Sequence, residues 1–333
     1  MAAIVGTSTI FATVAGTQAA QKRGVPAETV LKTPRLPAPI EKSKNQEEPT
    51  DADRRSVENG ADLAFGAFQR GYYLTALKLA LPRAESGDPA AQTLIGEIYD
   101  RGLGVAKDRK QAAFWFKYAA ESGNREAQFA YANLLIEGKV VEFDKAGARA
   151  LLEKAAQAGH AKASFNLAQI IVADRPSAGG FKDAVKLYQF AAEAGVPDAQ
   201  YAMASVYSNG LITGVPDFKQ ARFWMQQAAA RGIDTAQVEL GIWMVNGKGG
   251  PKDEKAGLIW LKAAAVQRNA IAQNRLANIY LSGIGVPPDP VKAASWHILA
   301  KRQGHVDTRL EAAFQRLPDI DKKRAIEIAN RWR

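Results

Sequence analysis

The chain repeats itself about every 36 residues, and this period limits its possible folds more than any other feature. A glycine closing an Ala-rich stretch stands at Gly87, Gly123, Gly159, Gly195, Gly232 and Gly304, with Arg268 in the same register. Successive markers are 36, 36, 36, 37, 36 and 36 residues apart. Such fixed spacing identifies an array of supersecondary units and takes precedence over any single motif.

Further positions keep step with the markers. Eight residues before each stand Leu79, Trp115, Leu151, Leu187, Trp224, Trp260 and Trp296, all large and apolar. Eleven before stand Ala76, Ala112, Ala148, Ala184, Ala221, Gly257 and Ala293, all small. Nine after the markers from Gly87 to Arg268 come Gly96, Ala132, Ala168, Ala204, Gly241 and Ala277, flanked by large apolar residues one position earlier and three positions later. Apolar residues at three- and four-residue steps mean amphipathic helices, two per unit. Small residues at fixed places let helix backbones approach, and the large ones fill the remaining space. One helix pair cannot bury its apolar face alone, so the units must stack. The expected fold is all-α, an α-solenoid of stacked antiparallel helix pairs over residues 60–305, six to seven units long. Trp224 and Trp260 are expected to be buried at equivalent places between successive pairs.

The stretch "YDRGLGVAKD", residues 99–108, places two glycines before lysines in the manner of a phosphate loop. A phosphate fingerprint needs a preceding strand and either a third glycine or a Gly-Lys-Ser/Thr. Neither is present, and the stretch recurs as "VNGKGGPKD" and "LSGIGVPPD" between the two helices of other units. It is read as a turn whose glycines supply positive φ.

The segments "AQTLIGEIYDRGLGVAKDRKQAAFWFKYAAESG" (91–123) and "AQNRLANIYLSGIGVPPDPVKAASWHILAKRQG" (272–304) share Ala-Gln, small-x-x-Tyr, Gly-x-Gly-Val, Asp, Lys-x-Ala, Trp and a closing Gly. This pattern resembles the Sel1-like repeat family, relatives of tetratricopeptide repeats, over roughly residues 61–305. Two units depart from it: "IIVADRPSAGGFKDA" lacks the Gly-x-Gly turn and "IEGKVVEFDKA" keeps one glycine. The resemblance implies an adaptor or signalling regulator that binds another protein in the solenoid groove, including a membrane-associated sensor or assembly. It also leaves a second branch, a protein that binds or hydrolyses cell-wall material such as peptidoglycan or β-lactams. Those relatives are cysteine-rich, and this chain has no cysteine.

The formal net charge is +10. The first 60 residues hold eight Lys/Arg against seven Asp/Glu, so the excess lies on the repeats, spread along them. No RNP-like strand, zinc finger or basic reading helix accompanies it, and no nucleic-acid partner is expected. Residues 1–21, "MAAIVGTSTIFATVAGTQAAQ", are uncharged and end in small residues, resembling a secretory signal peptide and implying a periplasmic or secreted protein. An uncleaved anchor and a plain cytoplasmic tail remain open, since no Lys or Arg precedes the apolar run. Residues 22–59 are rich in Pro and charge and are expected to form a linker without a core.

The catalytic inventory is thin. Without cysteine there is no thiolate nucleophile or Cys-based zinc site. His160, His297 and His305 form no ligand-spaced cluster and are expected on the surface or in the groove. No Gly-x-Ser-x-Gly elbow occurs. The expectation is a non-enzyme with no cofactor, no metal and no small-molecule substrate.

Surface therefore carries the functional reading. In related helical repeats the first helix of each unit lines the concave face. Ten residues after the markers stand Glu97, Asn133, Gln169, Ser205, Ile242 and Asn278, a mostly polar row suited to hydrogen-bonding a partner backbone or to facing solvent. Six after stand Phe129, Phe165 and Tyr201, aromatic side chains suited to packing or to anchoring a partner. Residues 306–333 leave the repeat, break at Pro318 and are read as a helical cap or a partner-binding basic helix.

Overall fold

The structure, a computed structural model, describes residues 62–332; the side chain of Ala178 is outside that description, as are the expected signal and linker segments. Sixteen helices follow one another among the described residues, with no strand. Contacts divide them into two compact units, 62–167 and 168–332, the boundary falling inside one helix.

The first unit holds α1 (Leu63–Gln69), α2 (Tyr73–Glu85), α3 (Pro89–Arg101), α4 (Arg109–Glu121), α5 (Arg125–Glu137), α6 (Lys145–Gln157) and the start of α7 (Ala161–Asp174). The second continues with α8 (Ala178–Glu193), α9 (Pro197–Ser208), α10 (Phe218–Ala230), α11 (Asp234–Asn246), α12 (Glu254–Val266), α13 (Ala270–Ser282), α14 (Pro290–Arg302), α15 (Thr308–Gln315) and α16 (Asp319–Asn330). From α1 to α6, and again from α8 to α15, each helix packs on the next in sequence, while α16 returns to pack on α14.

The marker positions end the second helix of each pair. All seven carry positive φ, and Arg268, at 65°, is the only non-glycine residue among the described ones to do so. The next residue's N–H reaches five residues back, as in Asn124 to the Ala119 carbonyl and Asn269 to the Ala264 carbonyl, both close to 3 Å. This closes the helix end in a Schellman turn, which needs the left-handed conformation. Gly123 has open space where a Cβ would stand, so its requirement is conformational.

The loops between the helices of a pair are turns, as expected. Gly102 and Gly104, Gly247 and Gly249, and Gly283 and Gly285 all have positive φ. The backbone then returns, Asp108 donating to the Tyr99 carbonyl and Asp289 to that of Tyr280. The same aspartates cap the second helices, Asp108 accepting from the N–H groups of Lys110 and Gln111 at 3.0 Å each. The second glycine also permits stacking: a Cβ on Gly285 would come within 2.6 Å of the Glu254 Cβ in the preceding pair.

Two expectations about burial need correction. Trp115 and Trp296 are buried, but Trp224 and Trp260 are only partly so. The large residues most enclosed by the second helices lie one position later, at Phe116, Leu152, Tyr188, Met225 and Leu261. The two positions lie one 100° step apart around the second helix, and the later one is the more enclosed at Leu152, Met225 and Leu261. The histidines are the other correction. His160 and His297 are 8% and 1% exposed, and only His305 is partly accessible. His297 occupies the same enclosed register as Leu261 and Met225, where hydrogen bonding satisfies its Nε2.

The array ends through a shift of phase. First helices usually have their cap one residue past the marker, with Asp88, Asn124 and Asn269 as side-chain caps. After Gly304 the cap is Asp307, two residues later than that rule. The pause before Pro318 is observed, α15 ending at Gln315 and α16 starting at Asp319.

Candidate functional site

The first helices supply the candidate face. Glu97 on α3, Asn133 on α5, Gln169 on α7, Ser205 on α9, Ile242 on α11 and Asn278 on α13 are all partly buried, as equivalent positions should be. They differ in how much bonding capacity remains for a partner. Glu97 takes a 2.7 Å bond from Arg101 one turn along α3. Asn133 accepts from Asn166 Nδ2 at 3.0 Å, linking α5 to α7 within the first unit. Asn278 donates to the Asn274 carbonyl and to Asp307. Gln169 and Ser205 make no side-chain hydrogen bond among the described residues, so their polar groups are the most available of the row.

The aromatic positions mainly pack. Phe129 stacks on His160 with ring centroids 4.5 Å apart. His160 is in turn fully used: Nδ1 accepts from the Ala163 N–H at 3.0 Å, and Nε2 donates to Glu126 at 2.8 Å. A histidine thus replaces the usual Asp or Asn cap at the start of α7, its burial following from that role. Tyr201 packs against the α10–α11 core and donates its hydroxyl to Glu239 at 2.8 Å. Burial and the Glu239 carboxylate push the Tyr201 hydroxyl well above its usual range. Phe165 is partly buried on α7.

The sequence pattern includes Ala-Gln without assigning its glutamine a role. The Gln of each Ala-Gln pair, at Gln92, Gln128, Gln200, Gln237 and Gln273, is buried, and its Nε2 donates to the carbonyl of Ala84, Ala120, Ala192, Ala229 or Ala265 at the end of the preceding helix. Recurrence of a polar residue beside a core alanine was the available signal. Ion pairs also join successive helices: Arg109 of α4 reaches Asp100 at 3.1 Å and Glu137 at 2.7 Å. That guanidinium holds the Glu137 carboxyl below its usual range.

The repeat model described as Sel1 repeat matches residues 89–124, 125–160, 181–196, 197–233, 235–267 and 270–305, more than half of the chain. The chain belongs to the Sel1 repeat family. Solved structures agree with this placement. A Sel1 repeat protein from Oxalobacter formigenes is 30% identical with a TM-score of 0.61, covering 71% of this chain and 94% of its own. The protein c5321, a protective antigen present in uropathogenic Escherichia coli strains and displaying an SLR fold, is 27% identical with a TM-score of 0.71. That match covers 85% of this chain but only 63% of c5321. No curated protein sequence matches the chain. Sel1 repeats generally mediate protein–protein interaction and are typically non-catalytic. Among the described residues, no helix is long and apolar enough to cross a membrane.

Proposed function

We propose that this Sel1 repeat protein is a non-catalytic adaptor or regulator that binds another protein along its first-helix faces and acts outside the cytoplasm. The observation that carries the reading is the equivalent, partly buried first-helix row, in which Gln169 and Ser205 keep their side-chain hydrogen-bonding groups unused. A polar group at the floor of a helical face gains most from a partner backbone, because docking excludes water around the new bond. Export rests on the uncharged residues 1–21, and the protective-antigen description of c5321 supports it. A membrane-associated sensor or assembly is the partner type that the family resemblance favours.

The test is an affinity purification after brief chemical cross-linking of intact cells. The reading expects one protein in stoichiometric yield. Recovery of muropeptide or β-lactam adducts without a protein partner would contradict it.

A further inference from the structure

The second unit contains a cavity of about 270 Å³ lined by α11, α12 and α13, the turn after α13, and Arg309 of α15. Its apolar lining includes Ile242, Leu261 and Ile279, and two cations, Arg275 and Arg309, line it as well. We propose that this cavity docks an acidic segment of a partner protein, with a carboxylate held between Arg275 and Arg309 and the neighbouring aliphatic side chain on the apolar floor. The proposal rests on the interaction reading above and adds the chemistry of the segment.

The arginines carry the argument. Both are exposed, and neither guanidinium has a carboxylate or hydrogen-bond partner among the described residues. The other first-helix arginines are engaged, Arg101 with Glu97 and Arg125 with Glu126 and the Ala158 carbonyl. Position seven after the marker holds Leu94, Ala130, Asn166, Ala202 and Glu239 in the other units, so a cation there belongs to this pair alone. Arg309 follows from the phase shift that ends the array: it stands two residues past the Asp307 cap, as Ile271 stands two past Asn269.

Asp307, the cap of α15, pairs with neither guanidinium. Asp307 spends Oδ1 on the N–H groups of Arg309 and Leu310 and Oδ2 on Asn274 and Asn278, at 3.0 to 3.2 Å. Its lone pairs are therefore committed to α13 and α15. Two free guanidinium forks beside an apolar floor match a carboxylate that has an aliphatic neighbour, because each fork can donate two parallel bonds. Docking would also remove water from those bonds, which in open solvent are worth little.

The probe is a labelled peptide of alternating leucine and glutamate, flanked by glycine and serine, with its leucine–glutamine counterpart as control. Fluorescence anisotropy against the whole protein should show the glutamate peptide binding at least tenfold tighter than the control. Arg275→Ala with Arg309→Ala should weaken it at least tenfold while leaving the thermal transition unchanged, since both side chains are exposed. Arg275→Lys with Arg309→Lys should fall between, because charge is kept and the fork lost. Equal binding of the two peptides, no binding to the wild type, or full binding to the double-alanine variant would each overturn the proposal. Cross-linked recovery of a protein partner in those cases would leave the broader interaction reading standing; its failure is read separately, by the absence of any such partner.

Discussion

His297 Nε2 lies 3.0 Å from Glu311 Oε2, joining the last repeat helix to the cap. Counted from the caps, Glu311 is four residues past Asp307, the place that Gln92 holds after Asp88 and Gln273 after Asn269. The terminal unit has thus exchanged glutamine for glutamate and a core aliphatic residue for histidine.

This exchange makes the cap sensitive to acid. Bonds from His297, then Gln315 and Lys301, lower the Glu311 carboxyl from 4.5 to about 2. Bonds led by that from Asn274 lower Asp307 from 3.8 to about 2. A carboxyl with a depressed folded pKa contributes its stability above the unfolded value and loses it as pH falls through the folded one. The cap should therefore loosen between about pH 4.5 and pH 2 before the repeats do. Hydrogen exchange followed by mass spectrometry should show residues 306–332 losing protection first, and Glu311→Gln should weaken that pH dependence.

The buried glutamines predict a stabilising substitution. Gln237 Oε1 accepts from Gln267 at 3.0 Å and Gln273 Oε1 from Gln303 at 2.8 Å, whereas Gln128 Oε1 is buried without a partner. Ala158 stands at the end of α6, as Gln267 does at the end of α12, with closely similar backbone angles. Ala158→Gln should supply the missing donor and stabilise the protein by about 1 kcal/mol. Gln267→Ala should do the reverse, and urea denaturation measures both.

The enclosed register predicts where truncation hurts most. Leu152 and Met225 are essentially inaccessible, and replacing either with alanine should cost about 2 to 5 kcal/mol. Trp260→Ala should fall below the range for a fully buried tryptophan, because its side chain is partly exposed. Glu97→Ala should stay within about 0.5 kcal/mol. Thermal denaturation of the four variants ranks them directly.

Much of this was legible because the period fixes phase. The markers located the end of the second helix in each pair, and the recurrence of "DRGLGVAKD" separated a turn from a phosphate loop. What escaped depended on a second element. Nothing local to Trp224 or Trp260 says which of two adjacent positions faces the partner helix; Met225 and Leu261, one residue on, do so. Nothing local to His160 says that its Nδ1 caps the start of α7 at the Ala163 N–H while its Nε2 binds Glu126 on another helix. His297 was hidden for a similar reason, since its partner sits on a helix displaced two residues from the repeat. The candidate face was legible as a register, but not the internal bonds that occupy Asn133 and Asn278.

The most direct measurement places a photo-activatable amino acid at Ser205, on the first-helix face, and separately at Lys186, exposed on α8, in protein expressed in its own cells. Irradiation should join a partner protein to the Ser205 variant and give little adduct at Lys186. Adducts confined to Lys186, or none at either position while the protein stays folded, would contradict an interaction carried by the first-helix face.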